Sequence, residues 1–214
     1  MIGSPENYRF TFSTSTAKML FEHNVKIVNV GNNHIDNFGS GGVLSTAKYL
    51  QEAGVSYFGD VEGVSSLYRT TANGVRLSFI SFNQFGGSSP ENIASIIFQE
   101  KTAGRMVIVY THWGEEYSDS VPGLRSIATL FSQNGTDVII GSHPHVVLQH
   151  EYIGDTLVYY SLGNFIFDQY FNPDVTKGLA LQLNISDGKI DVKEYWLTLK
   201  SDGRTCPNDL INVR

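Results

Sequence analysis

Short apolar runs rich in β-branched residues alternate along the chain with stretches whose apolar residues recur at helical spacing. The apolar runs predict β-strands over Lys26–Val30, Arg76–Phe82, Arg105–Tyr110, Asp137–Ile140, Thr156–Tyr160, Gly178–Ile185 and Lys189–Leu199. The helical spacing predicts helices over Ala17–Glu22, Ser40–Ala53, Pro90–Thr102 and Leu124–Asn134. Turn signals that predict hairpins stand at Asn73-Gly74, Gly154-Asp155 and Asp187-Gly188. This alternation is typical of a layered α/β fold, and because no linker or repeat interrupts it we expect one domain over residues 1–214.

Polar residues open the loop that follows each of four predicted strands. These four loops are Gly31–His34, Thr111–Glu116, Gly141–His145 and Ser161–Asn164. The carboxyl ends of the strands in an open α/β sheet share one edge, where ligands bind. We therefore expect four of the six histidines to converge on one crevice, namely His34, His112, His143 and His145.

Converging imidazoles favour a metal site over the other catalytic arrangements. Neutral imidazole is a common ligand of zinc, iron and manganese, and the side-chain carbonyl of Asn33 adds a harder oxygen donor. The sequence has no Gly-x-Ser-x-Gly elbow, and its only cysteine, Cys206, lies in a late polar tail. An α/β domain with no site, whose histidines are merely hydrogen-bonded in loops, is the alternative interpretation.

The tripeptide His143-Pro144-His145 is the sharpest local signal of a metal site. Proline biases the residue before it toward extended backbone, and alternate side chains of an extended segment leave on the same side. We therefore expect both imidazoles to face one cation. A polar turn whose histidines bond to nearby backbone is the alternative.

Other residues near these motifs also have candidate roles, functional or structural. Glu115 and Glu116 are expected either to orient His112 by accepting its second N–H or to be solvated loop charges. Trp113 is expected at a pocket wall. His23, at a polar helix end, and His150, in a candidate strand, are expected to be structural.

Composition and charge narrow the range of partners. The chain is 41% hydrophobic and 17% charged, as expected of a globular protein. Its 15 basic and 21 acidic side chains give a net charge of −6, which disfavours a nucleic-acid partner. No apolar run approaches the roughly 20 residues of a membrane-spanning helix.

Four motifs in order resemble the bacterial capsule-synthesis (CapA-type) family associated with poly-γ-glutamate, which is related to calcineurin-like metallophosphoesterases. They are Asn32-Asn33-His34, the segment from His112 to Tyr117, the segment from Gly141 to Val146, and the segment from Tyr160 to Phe165. The resemblance implies a sandwich of two β-sheets flanked by helices, with a site at the strand ends. It also implies a divalent cofactor (Mn, Zn or Fe; one or two ions).

The resemblance assigns roles to individual residues. Asn33, His112, His143 and His145 would be metal ligands, and His34 would be the general acid or charge stabiliser beside the leaving group. Asn164 would contribute to the cleft. An anionic cell-surface polymer, or the machinery that makes it, would be the partner, at an extracytoplasmic or cell-surface location.

The sequence departs from the family pattern in two places. The family opens with a strand ending in Gly-Asp and then an Asn-x-Glu segment, and neither occurs before the region that matches Tyr8-Arg9-Phe10. We therefore expect a sandwich without the first strand, a site poor in carboxylates, and a sheet edge open to dimer formation. The family also commonly has Asp three residues after the motif histidine, whereas this chain has Asn37 there and Asp36 one place earlier.

Two functional hypotheses follow. The first is a metal-dependent, hydrolase-like domain for capsule synthesis, whose turnover is in question because the acidic ligands are absent. The alternative is a non-catalytic assembly or anionic-polymer-binding subunit that keeps the fold without turnover.

Overall fold

The computed structural model describes residues 9–186 and 188–208, which form four helices and eleven strands. The helices are α1 (Ser15–Glu22), α2 (Gly39–Ala53), α3 (Pro90–Thr102) and α4 (Pro122–Gln133). The strands are β1 (Ile27–Asn29), β2 (Ser56–Phe58), β3 (Leu67–Ala72), β4 (Val75–Asn83), β5 (Met106–His112), β6 (Val138–Ser142), β7 (His150–Ile153), β8 (Thr156–Tyr159), β9 (Lys177–Ser186), β10 (Lys189–Leu199) and β11 (Thr205–Pro207). All four predicted helices and all seven predicted strands are present, so the α/β layered fold is confirmed.

A six-stranded mixed sheet in the order β3-β4-β5-β6-β8-β7 forms the centre of the molecule. Strands β4, β5, β6 and β8 are parallel, and the antiparallel strands β3 and β7 lie at its edges. Helices α3 and α4 cover one face, where Val107 and Val109 of β5 pack with Ile97 and Phe131. Because strand side chains alternate, Ile108 of the same strand points to the opposite face.

A second β layer in two pieces covers that opposite face. Strands β9, β10 and β11 form one piece, whose Leu181 and Ile185 pack on Ile108. The parallel pair β1 and β2 forms the other, and its Phe58 meets Tyr110 of β5 edge-on at 5.8 Å between ring centroids. The sandwich expected from the family resemblance is therefore present, with the β1–β2 piece packed against α1 and α2.

Local sequence explains where the elements end. Helix α3 begins after Ser89, whose hydroxyl accepts from the Asn92 amide at 3.3 Å, and α2 ends at Gly54, which has a left-handed φ of 80°. Asn73 and Gly74, with φ of 50° and 81°, form the predicted turn between β3 and β4. Asp187 of the predicted turn between β9 and β10 lies outside the described residues.

The seven predicted ranges did not include strands β2, β3, β7 and β11, although His150 of β7 was assigned to a candidate strand. Strands β2 and β11 have three residues each, too few for a pattern of period two. Strand β3, Leu-Tyr-Arg-Thr-Thr-Ala, is a half-exposed edge strand without an apolar run. Within the described part of the chain β1 pairs with β2 alone, and it borders a cleft of about 630 Å³ between α1 and α2. Dimer formation through this edge stays a prediction.

No helix in residues 9–186 or 188–208 is long and apolar enough to cross a membrane.

Close packing at Gly141 fixes the end of β6, where the polar loops meet. A Cβ atom at this position would lie 2.0 Å from the Tyr160 carbonyl oxygen and 2.7 Å from the Trp113 indole nitrogen. Only glycine therefore lets β6 approach the chain that follows β8 this closely.

We expect Gly141→Ala to lower the free energy of unfolding by roughly 1–3 kcal/mol, because the backbone carbonyl must move to admit the methyl group. Urea denaturation measures this loss. Gly123→Ala in α4 is the matched control, since a Cβ atom there meets nothing within 4 Å. Equal stabilities for the two variants would contradict the packing argument.

Candidate metal centre

The structure brings three of the four expected imidazoles into one group at the carboxyl ends of β5 and β6. The ring centroids of His112 and His143 are 4.7 Å apart, and those of His143 and His145 are 6.3 Å apart. His34, in the loop after β1, is close enough to lower the pKa of both His112 and His143 electrostatically. The site therefore lies where the β1–β2 piece meets the central sheet.

Ser142 and Asn33 contact the two ring nitrogens of His112. The Ser142 hydroxyl donates to the Thr111 carbonyl at 2.8 Å, so it accepts from Nδ1–H of His112 at 3.2 Å. In a neutral ring the proton on Nδ1 leaves a lone pair on Nε2. That Nε2 faces Oδ1 of Asn33 at 3.0 Å. In this tautomer both atoms present lone pairs that one cation could accept, whereas in the other tautomer Nε2–H donates to Asn33 Oδ1.

Asn164 fixes the proton of His145 in the same way. Its NH₂ donates to the Val175 carbonyl at 3.0 Å, which directs its Oδ1 to accept from Nδ1 of His145 at 2.8 Å. The Nε2 lone pair of His145 is therefore available to a ligand. Asn164 is buried, so it contributes to the site by orienting His145 rather than by lining an open cleft.

Asn37 orients His34. Its Oδ1 accepts from the Phe10 amide at 3.1 Å and from Nδ1 of His34 at 3.2 Å. Asp36 is exposed, and among the described residues its carboxylate is not found to accept a hydrogen bond from His34. Asn37, at the position where the family commonly has Asp, therefore orients the His34 ring through an amide oxygen in place of a carboxylate.

His143-Pro144-His145 is a turn rather than the extended segment we expected. His143 has φ of 102° and His145 has φ of 61°, both in the left-handed region. The Tyr117 amide donates to the Pro144 carbonyl at 2.8 Å and holds the turn against the loop after β5. The expectation from alternating side chains is thus wrong, although both rings reach the same cluster. Non-glycine residues with strained φ concentrate at functional sites.

Burial keeps the central imidazoles neutral. Desolvation, reinforced by His143, His145 and His34, lowers the pKa of His112 to about 3. Desolvation also lowers the pKa of His143, against the opposing attraction of Glu116. Neutral imidazole is the form that binds metal ions, so these rings need not lose a proton at neutral pH.

Trp113, Glu115 and Glu116 lie outside the ring cluster. Trp113 is 0% exposed in the core beneath α4, where its indole donates to the Tyr160 carbonyl at 2.9 Å. The expectation of a pocket-wall tryptophan is wrong, because the residue after His112 points to the opposite face of β5. Glu115 and Glu116 are exposed, and Ser142 rather than either carboxylate accepts from His112.

Asn83 is a site residue that sequence reasoning missed. It ends β4 beside His112, and its NH₂ donates to the Asn32 carbonyl at 3.2 Å. Buried Asp60 accepts from the Asn83 amide at 3.1 Å and fixes the start of the next loop. The sequence did contain a signal for Asn83, because β4 is a fifth apolar strand that ends in a polar residue.

The donor atoms fit one divalent cation. Two ligand atoms bound about 2.1 Å from one metal ion at a right angle are about 3.0 Å apart, which is the separation of Asn33 Oδ1 and His112 Nε2. The ring of His143 lies near that of His112, with 4.7 Å between the centroids. No group of three His, Cys, Asp or Glu side chains suited to enclosing an ion occurs within residues 9–186 and 188–208. The fit therefore depends on the Asn33 amide and leaves ligand positions open.

We expect the neutral state of His112 to make stability depend on pH. Its folded pKa, about 3, lies below the ordinary 6.5, so the unfolded chain takes up a proton that the folded chain does not. The contribution of neutral His112 to the free energy of unfolding is complete above about pH 6.5. It is lost as the pH falls toward about 3, by at most about 1.4 kcal/mol per pH unit. Urea unfolding at about pH 7 and about pH 5 should show a smaller difference for His112→Gln than for the wild type.

His23→Gln, which changes an exposed histidine at the end of α1, is the control for this comparison. An unchanged pH dependence in His112→Gln would show that His112 is not held neutral.

Comparison with known proteins places the chain in a family. The bacterial capsule synthesis protein family PGA_cap matches residues 3–169. Capsule biosynthesis protein CapA of Bacillus anthracis is 31% identical over 186 residues, covering 77% of this chain and 45% of that protein. PGA biosynthesis protein CapA of Bacillus subtilis (strain 168) is 30% identical over 173 residues, covering 72% and 46%. The chain thus spans about half the length of the curated relatives it matches.

A solved structure shares the fold. A hypothetical protein from Thermus thermophilus matches with a TM-score of 0.51 and 13% identity, covering 86% of this chain and 91% of that chain. At this identity the likeness shows the fold alone. Because the family match extends over most of the chain and includes all four strand-end motifs, the chain belongs to the bacterial capsule synthesis protein family PGA_cap.

Proposed function

We propose that the imidazole cluster binds one divalent cation and forms a metal-dependent, hydrolase-like site. Asn33, His112, His143 and His145 would hold the cation. The observation that carries the proposal is the approach of Asn33 Oδ1 to His112 Nε2 at 3.0 Å, beside the ring of His143. A cation bound by both atoms would take the place of the hydrogen bond between them.

The groups behind the ligands support this assignment. Ser142 and Asn164 each accept an Nδ1 proton, so His112 and His145 direct their Nε2 lone pairs inward. Imidazole ligands of metal ions commonly donate their other N–H to such an oxygen. Ser142 and Asn164 are themselves fixed by hydrogen bonds to the Thr111 and Val175 carbonyls. A histidine with only a structural role does not require an acceptor that is fixed in this way.

The donor set indicates the class of metal and of substrate. Imidazoles with one amide oxygen suit Zn, Fe or Mn, and the bound ion would supply Lewis-acid polarisation of an oxygen. The proposed ligands include no Asp or Glu, and in the described part of the chain no group of three His, Cys, Asp or Glu side chains is arranged to hold an ion. The ligands are then uncharged, so an anionic group of a substrate, such as a phosphate or carboxylate, would offset the charge of the ion.

His34 would act as the general acid. Its Nδ1–H is held by Asn37, so a second proton would be carried on Nε2. The electrostatic effect of the His34 ring on His112 and His143 supports a position beside the cluster. The ring could therefore protonate a leaving group or stabilise charge that develops on it.

The biological setting follows from the relatives. Both curated relatives carry names for capsule or PGA biosynthesis, so we assign the chain to the synthesis or processing of an anionic capsule polymer at the cell surface. The described residues contain no group of three His, Cys, Asp or Glu side chains arranged to hold an ion, which favours a second candidate. In it the domain binds the polymer or its synthesis machinery without turnover.

We expect calorimetric titration with Zn²⁺ or Mn²⁺ to show one site per chain. His112→Ala and Asn33→Ala should abolish it, because each removes one of the two facing donors. Asn164→Ala should weaken affinity by about 10- to 100-fold through loss of the orientation of His145. His150→Ala, in an exposed position on β7, is the matched control and should bind as the wild type does. Equal affinity in all four variants would exclude this site.

We expect the metal-loaded protein to release p-nitrophenol from bis(p-nitrophenyl) phosphate. His34→Ala should lower kcat by about 10²- to 10⁴-fold with metal affinity retained, because it removes a proton donor and not a ligand. Metal binding without hydrolysis of this probe or of γ-glutamyl oligomers would favour the non-catalytic candidate. His23→Ala is the control for loss of an unrelated histidine.

A further inference from the structure

An aromatic ring from the loop between β4 and α3, residues 84–89, lies against the imidazole cluster. The ring centroid of Phe85 is 4.4 Å from that of His143 and 5.9 Å from that of His112. The same side chain keeps 42% of its surface exposed. Phe85 therefore contacts two of the proposed metal ligands and also reaches the protein surface beside them.

A buried carboxylate holds both ends of this loop. Asp60 accepts from the Asn83 amide at 3.1 Å, from the Ser88 amide at 2.8 Å and from the Ser88 hydroxyl at 2.8 Å. These bonds offset the cost of burying its charge. A Cβ atom at Gly87 would lie 2.0 Å from a carboxylate oxygen of Asp60, so only glycine lets the loop pack this closely on it.

The middle of the loop is bound to the segment that follows β5. The Gln84 amide donates to the His112 carbonyl at 3.0 Å, and the Gln84 side-chain oxygen accepts from the Gly114 amide at 3.0 Å. The Phe85 amide donates to Oδ1 of Asn83 at 3.2 Å. The backbone that carries Phe85 is therefore fixed before a ligand arrives, and a group already in place loses little conformational entropy on binding.

We propose that Phe85 determines substrate specificity at the metal centre, by favouring substrates that carry an uncharged apolar group directly beside the anionic group bound by the cation. The anionic oxygen atoms would bind the ion, and the adjoining apolar group would pack on the Phe85 ring. Asp60 is then a positioning residue, since it acts through the loop that carries Phe85. The inference rests on the proposed function for the presence of the cation.

This substrate class agrees with an anionic capsule polymer. In a γ-glutamyl unit, two methylene groups separate the amide carbonyl from the carbon that carries the carboxylate. A carboxylate bound to the ion would leave those methylene groups free to pack on a ring beside it. Aryl phosphates and phosphonates belong to the same class, whereas inorganic phosphate has no apolar part and would gain nothing from Phe85.

Calorimetric titration of the Zn²⁺-loaded protein with phenylphosphonate and with methylphosphonate tests this role, because the two probes share an anionic group and differ in the apolar group. We expect the wild type to bind phenylphosphonate at least about fivefold more tightly than methylphosphonate. Phe85→Ala should reduce this ratio to below about twofold. Phe85→Leu should retain part of the preference, because it keeps apolar surface beside the cluster.

A second variant keeps the ring and displaces the loop. Gly87→Ala forces a methyl group against Asp60, so it should also reduce the preference for phenylphosphonate. Phe98→Ala, which removes an exposed ring from α3, is the matched control and should keep the wild-type ratio. Circular dichroism and Zn²⁺ titration of each variant check that the fold and the ion site are intact.

Four results would overturn the role of Phe85 while the Zn²⁺ site stands in the wild type. They are equal affinity of the wild type for the two probes, no binding of either probe at millimolar concentration, a preference that Phe85→Ala leaves unchanged, and loss of Zn²⁺ binding in Phe85→Ala. The last would show that the ring supports the site itself rather than selecting substrates. Absence of Zn²⁺ binding by the wild type would instead overturn the proposed metal centre, and the specificity role with it.

Discussion

The direction of the Nδ1–H bonds is the constraint on which the rest of the site depends. Ser142, Asn164 and Asn37 accept from His112, His145 and His34, and each acceptor is fixed by a second hydrogen bond to a different segment. The Thr111 carbonyl, the Val175 carbonyl and the Phe10 amide supply those second bonds. The fold therefore sets which nitrogen of each ring carries the proton, and hence where the lone pairs point. Burial adds to this by lowering the pKa of His112 to about 3.

The sequence predicted much of the fold and the location of the site, but not the contacts that orient its side chains. Parallel strands next to one another bring their ends to one edge, so placing His112 beside Ser142 and His143 needed only the strand order. The turn at His143 to His145 was missed because tertiary contacts, such as Tyr117 N–H to the Pro144 carbonyl, override the local bias of proline. The hydrogen bond between His145 and Asn164 joins residues that are 19 positions apart. It depends on tertiary packing, which no local sequence pattern predicts.

The division of the second β layer gives the Asn33–His112 pair a role beyond chemistry. Asn33 lies in the loop that follows β1 of the β1–β2 piece, and His112 ends a strand of the central sheet, 79 residues further along the chain. Any ion held by both would cross-link these layers and close a long loop, as a reversible disulfide would, and its binding would raise the melting temperature. The thermal stability of the protein would then increase with the concentration of free metal ion around it.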